Sequence, residues 1–228
     1  MTNVIVTSVM DLEDRSESFK EIANLTLPFF RRYADSCGAD LALIEDRKYT
    51  SKNNWLNNAF EKIQAIDFLD SYDRVLFIDV DCYISSNCIN LFDLVPSDKI
   101  GITLKPPEKI KQLNIASKTA WENITSIPWV AANSGVFLVD QSCKVIKEAI
   151  TEDIIKVQQG GQSFISSAPA YYDIEYFDFY PYRQSDQINM FFGRKIDTIQ
   201  DKGILHAMGA NLSKIERLNS LINKFETI

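Results

Sequence analysis

Arg74-Val75-Leu76-Phe77-Ile78-Asp79-Val80-Asp81 decides how the rest of the chain is read. A short apolar run, bounded by charges and closed by two aspartates one residue apart, has the pattern of a buried parallel strand. Side chains at i and i+2 of an extended segment share a side. Asp79 and Asp81 can therefore present two carboxylates to one point. In open α/β sheets, ligands sit beyond the carboxyl ends of strands, and adjacent carboxylates repel one another until a cation relieves them. Taken alone, the stretch fits a divalent-metal site at a strand end. It also fits a strand capped by solvated acids.

Upstream, residues 55–69 read as an amphipathic helix, with Leu56, Ala59, Phe60, Ile63, Ile66 and Leu69 at helical spacing. Residues 3–8 form a β-branched first strand and 41–44 a second. A helix over 16–37 lies between them, broken or kinked at Pro28 and capped by Gly38. Residues 47–54, polar and basic, read as a mobile loop. Downstream come a short helix over 90–95 stopped by Pro96, strands over 100–104 and 135–139, and a helix over 142–157. Residues 105–129 are an excursion from the sheet. Gly160, Gly161 and nearby serines predict a loop over 158–170. Residues 187–192 and 213–225 predict helices, and 204–206 end a short apolar stretch. Strands alternating with helices give an α/β fold with a mainly parallel central sheet flanked by helices.

A chain of 228 residues with 46% hydrophobic residues can bury a substantial core. Its 31 acids against 24 bases give a net charge of −7, which argues against a general nucleic-acid or anionic-membrane binder. The amino terminus reads as a strand and lacks the basic and apolar regions of a signal peptide. No run approaches the roughly 18 apolar residues of a membrane span, so the expected location is cytoplasmic. Cys37, Cys82, Cys88 and Cys143 contain no CxxC pair and read as free thiols of a reducing compartment. Any histidine chemistry falls to His206, the single histidine.

Four stretches then bear on one another: Asp79-Val80-Asp81, Asn133-Ser134-Gly135 entering a strand, Asp186-Gln187, and His206-Ala207-Met208-Gly209. In this order they resemble the GT-A glycosyltransferases, most closely glycosyltransferase family 8, the glycogenin-like and bacterial lipopolysaccharide galactosyltransferase group. The resemblance runs from the first strand to about Gly209. It implies one GT-A domain over 1–228, with a nucleotide-sugar half over about 1–104 and an acceptor-side half over about 105–228.

The resemblance implies further that Asp79, Val80 and Asp81 are the DxD holding Mn²⁺ (Mg²⁺ being possible) on the diphosphate of a nucleotide sugar, a UDP-sugar by expectation, with His206 as third protein ligand. Carboxylates with imidazole suit Mn²⁺ better than Mg²⁺. Lys62 would face the donor as a point charge, and Thr7 and Ser8 the base and ribose. Asn133, Ser134 and Gly135 would line the donor-sugar pocket, and Asp186 and Gln187 would sit beside the anomeric carbon as the catalytic pair. Gly209 belongs to the HxxG turn. Family members often carry a lysine three residues after that glycine. Here the position is Leu212, and Lys214 is the nearest lysine, which puts the diphosphate contact in doubt. The acceptor would be a hydroxyl of a glycan or glycoconjugate, with retention favoured over inversion.

Each of these residues also has a plainer reading: a solvated lysine, turn hydroxyls, a strand-entry turn, a helix N-terminal acid. The aromatics over 171–182, with Trp121 and Trp129, can stack on sugars or pack a core. Two other functions compete: a haloacid-dehalogenase-like phosphatase, in which the first aspartate attacks, and a GT-A domain that binds a nucleotide sugar or glycan without turnover. The phosphatase reading is weakened by Tyr83, two residues after Asp81, where that family usually has threonine or valine.

Overall fold

The computed structural model describes residues 1–11, 18–50, 60–106, 118–156, 160–184, 190–191, 200–207 and 213–226. Strands β1 (Asn3–Ser8), β2 (Asp40–Ile44), β3 (Arg74–Ile78), β5 (Lys99–Leu104), β6 (Ala132–Asp140) and β7 (Glu175–Asp178) form a six-stranded sheet in the order β2-β1-β3-β6-β5-β7. All neighbours pair in parallel except at β6, which runs antiparallel to β3 and β5. A second sheet of β4 (Cys82–Ile84), β8 (Met190–Phe191) and β9 (Ile204–His206) has the order β4-β9-β8.

Residues Arg74–Ile78 of the quoted stretch are β3, which is buried along its whole length. Val75 and Phe77 belong to one core with Val4, Val6, Phe137 and Val139. Leu76 and Ile78 belong to the core on the other face with Ile5, Val136 and Leu138. A strand covered on both faces has no polar side, which explains its unbroken apolar run. Phe77 and Phe137, opposite one another in the β3–β6 ladder, stack with ring centroids 5.0 Å apart.

Helix α1 (Phe19–Cys37) begins at Ser18, whose side chain accepts from the Glu21 N–H, and ends at Gly38 in the left-handed region (φ 61°). Pro28 does not break it. Asn24, the residue whose carbonyl loses its helical donor, is exposed along with Pro28, so water can take that bond. Upstream of β3, the described part of the expected helix is a 3₁₀ helix, Lys62–Asp70. Phe60, Ile63, Ile66 and Leu69, all buried, recur every three residues, the period of a 3₁₀ helix. The expected 142–157 helix is likewise two pieces: a 3₁₀ helix, Gln141–Ala149, burying Cys143 and Ile146, and an α-helix, Glu152–Lys156.

Two further expectations are corrected. Residues 160–171 are not a loop but helix Gly160–Tyr171. Its Ser166 hydroxyl bonds the Val130 carbonyl (2.7 Å), and its Ser167 hydroxyl accepts the Val130 N–H (2.9 Å). Serines that read as loop composition are thus buried fasteners to the segment entering β6. Of 187–192, only Met190–Phe191 are described, and they are strand, not helix. Residues 47–50, the described part of the expected 47–54 loop, are neither helix nor strand, and Glu61 fastens 48–50. Buried Glu61 accepts the backbone N–H of Lys48 (2.9 Å), Tyr49 (3.1 Å) and Thr50 (2.7 Å), and the Thr50 hydroxyl (2.7 Å). Trp121 and Phe179 are fully buried, which gives them a packing role.

Candidate active site

β3 delivers Asp79 to the carboxyl end of the large sheet, and β4 starts directly after Asp81. The two aspartates therefore bridge two sheets. The Asp79 N–H donates to the Gly135 carbonyl (2.8 Å), tying it to the entry of β6. The Ala207 N–H donates to the Asp81 carbonyl (2.8 Å), and His206 pairs with Cys82 in the β4–β9 ladder. That pairing carries His206 to the acidic pair from far along the sequence.

The side chains converge. His206 Nε2 lies 2.9 Å from Asp81 Oδ1 and 3.6 Å from Asp79 Oδ2. The other oxygen of each carboxylate meets a lysine: Asp79 Oδ1 is 2.6 Å from Lys62 Nζ, and Asp81 Oδ2 is in direct contact with Lys214 Nζ. Lys62 Nζ also sits over the Phe77 ring at 5.6 Å, and Lys214 Nζ over the Phe19 ring at 5.3 Å. Asp81 and His206 are buried (2% and 3% exposed), whereas the Asp79 side chain is 18% exposed. Burial pushes the Asp81 carboxyl upward, but His206 and Lys214 more than reverse this and hold it well below the usual carboxylate range. For Lys214, burial works against the charge, and Asp81 overcomes it and raises the ammonium above its ordinary value.

Gly135 lies against the His206 ring. A Cβ there would come within 2.9 Å of His206 Cε1 and 3.0 Å of Nδ1. The glycine makes room for the imidazole. Asn133 Oδ1 accepts the Gly135 N–H (2.9 Å), so the Asn133 side chain braces this turn, and Ser134 is buried beside it. Val80 is buried in the core. At the end of β1, alongside β3, the Thr7 and Ser8 hydroxyls are buried and have no hydrogen-bond partner among the described residues. Hydroxyls so placed are suited to meet a ligand. Asp186, Gln187 and Gly209 lie outside the described residues.

Donor atoms that occupy cis positions around an octahedral ion stand about 3 Å apart when metal–oxygen distances are about 2.1 Å. The His206–Asp81 and His206–Asp79 spacings are of that order. Among the described residues, the ligand atoms of Asp81, Cys82 and His206 all lie within 4.8 Å of one another. Cys82 is the weakest of these, because burial and the two nearby aspartates push its thiol well up and keep it protonated. The set that suits a hard dication is therefore Asp79, Asp81 and His206, two carboxylates with one imidazole. Sequence reasoning missed Glu61, which orders residues 48–50 beside Lys62. On the polar side of a predicted helix, nothing distinguishes it from a solvated acid.

Residues 3–202 match the family described as glycosyl transferase family 8. The chain belongs to glycosyltransferase family 8. That membership decides against the phosphatase reading of the acidic pair. No curated protein sequence matches the chain. Among solved structures, it is similar to a glycosyltransferase involved in glycosylation of the major capsid of PBCV-1, with 17% identity and a TM-score of 0.58, covering 97% of this chain and 98% of that one. It is also similar to the galactosyltransferase LgtC, solved with donor and acceptor sugar analogues, with 12% identity and a TM-score of 0.56, covering 99% and 97%. The family 8 chain thus has the GT-A fold of these glycosyltransferases. None of its described helices is long and apolar enough to cross a membrane.

Proposed function

We propose that this family 8 protein transfers a sugar from a nucleotide diphosphate sugar, a UDP-sugar by preference, to a hydroxyl of a glycan or glycoconjugate, with a divalent cation and with retention of configuration. The observation that carries the reading is the convergence of two carboxylates and one imidazole at the carboxyl end of β3, with His206 Nε2 2.9 Å from Asp81 and 3.6 Å from Asp79. Mn²⁺ suits that donor set and, when bound, offsets the negative charge that develops on a departing diphosphate.

The chain's own residues divide the remaining work. Asp79, Asp81 and His206 hold the cation and attack nothing. Lys62 and Lys214 supply positive charge for diphosphate oxygens. Thr7 and Ser8 offer hydroxyls to the nucleoside. The turn at Asn133, Ser134 and Gly135 closes the donor pocket and seats His206. By family resemblance, Asp186 and Gln187 stand beside the anomeric carbon, where a carboxylate orients hydroxyls and supports positive charge on the sugar. In this reading 1–228 is one domain, donor half first, working in a reducing cytoplasm. The four free cysteines support that setting.

Release of nucleoside diphosphate from a panel of UDP-sugars with Mn²⁺ tests the reaction. Release is expected from wild type, and loss of about 10³-fold from Asp81→Ala, the scale of a removed electrostatic stabiliser. Equal release by both proteins overturns the metal site. Binding of UDP-sugar without release on any acceptor would leave a binding domain rather than an enzyme.

A further inference from the structure

Both carboxylates of the acidic pair already hold a cation, and the two cations are held differently. Lys62 pairs with the more exposed Asp79, whose other oxygen faces His206 at the longer distance of 3.6 Å. Lys214 contacts buried Asp81, whose other oxygen faces His206 at 2.9 Å. Each Asp81 oxygen therefore has a partner within the protein. Lys214 is also the first residue of the terminal helix, Lys214–Phe225. A cation there faces the positive end of the helix dipole, so the helix gains nothing from the charge. What keeps it in place is Asp81, with the Phe19 ring.

Two carboxylates and two ammoniums leave the site balanced. A dication entering alone adds surplus positive charge in a buried place, and must also take an Asp81 oxygen from Lys214. A diphosphate supplies the missing negative charge and gives the displaced ammonium new oxygens to contact. We propose that Lys214 is a latch on the metal site: it closes on Asp81 when the site is empty, and a divalent cation and a diphosphate open it together rather than separately. This inference rests on the nucleotide-sugar reading above. It makes the cation and the nucleotide each bind weakly alone and strongly as a pair, a coupling that is reciprocal by linkage.

Mn²⁺ binding to the whole protein, followed by the electron paramagnetic resonance of free Mn²⁺ with and without UDP, tests the latch without turnover. If the latch is closed nine-tenths of the time, Lys214→Met binds Mn²⁺ alone about tenfold more tightly than wild type, and the gain in Mn²⁺ affinity produced by UDP shrinks by a similar factor. Lys214→Arg, which keeps the pair, stays near wild type. Lys214→Gln gives a second neutral variant should Lys214→Met melt early. Unchanged or weaker Mn²⁺ binding in the neutral variants, with wild type binding Mn²⁺, overturns the latch and leaves the metal reading standing. Failure of every protein to bind Mn²⁺, with UDP or without, overturns the metal reading and the latch with it.

Discussion

The two aspartates sit one residue apart but belong to different constructions. Asp79 leaves the six-stranded sheet and is held by the Gly135 carbonyl of that sheet and by Lys62 of the 3₁₀ helix preceding β3. Asp81 enters the three-stranded sheet and is held from that side, by the Ala207 N–H, His206 and Lys214. The large sheet supplies a partly solvated acid on a scaffold buried on both faces. The small sheet supplies a buried acid whose charge depends on groups delivered from the carboxyl end of the chain. Fold and chemistry are thus unevenly shared: the large sheet carries the core, and the small one completes the site.

This asymmetry sets an order of effects. Asp81→Asn leaves Lys214 and His206 facing an uncharged amide and should cost about 3 kcal/mol in urea unfolding, whereas Asp79→Asn should cost less than about 1 kcal/mol. Equal losses would remove the distinction between the two acids. Next is Gly135→Ala, where the two sheets touch: its methyl must push the His206 ring, at about 2 kcal/mol for an overpacked contact. Displacement is read independently from the His206 ring resonances, and unmoved resonances would contradict the close fit.

Glu226 tests the anchoring of the small sheet from behind. It takes both Arg32 guanidinium nitrogens (2.9 and 3.0 Å) and the Tyr83 hydroxyl of β4 (2.8 Å). The Arg32 hydrogen bond, opposed by burial and aided by Tyr83, lowers its carboxyl from the ordinary value. A carboxyl lowered on folding adds stability above its unfolded pKa of about 4.3 and loses it as pH falls through the folded value. Glu226→Gln should therefore cost about 1 kcal/mol at neutral pH, and the gap from wild type should close on acidification below about pH 4. A gap independent of pH would show that the charge is not what matters. The smallest effect belongs to Lys62→Met, below about 1 kcal/mol in stability because its pair is partly solvated. Its activity loss should exceed anything its melting curve suggests.

The same division governs what could be read from sequence. β1, β3, β5 and β6 declare themselves because burial on both faces imposes local apolar runs, and Gly38 marks the end of α1 through local chemistry. β4, β8 and β9 have three, two and three residues, too few for any periodicity, and are defined only by distant pairing. His206 was therefore found through family resemblance rather than pattern. Lys214, the nearest lysine to the Leu212 position, reaches Asp81 from the first turn of a helix; spacing along the chain could not show that. Gly160 and Gly161 misled because their helix is held by buried serine bonds, which composition does not reveal. The three-residue spacing of Phe60, Ile63, Ile66 and Leu69 is visible in the sequence but fits an α-helix nearly as well as the 3₁₀ helix that forms.

The contact between Gly135 and His206 has a consequence for how such a chain can change over generations. Neither position is free while the other is kept: a side chain at 135 must displace the imidazole, and an imidazole at 206 crowds the side chain. The two should therefore be inherited as one character. Among relatives, loss of the glycine should accompany loss of the histidine, both changes appearing together rather than either alone.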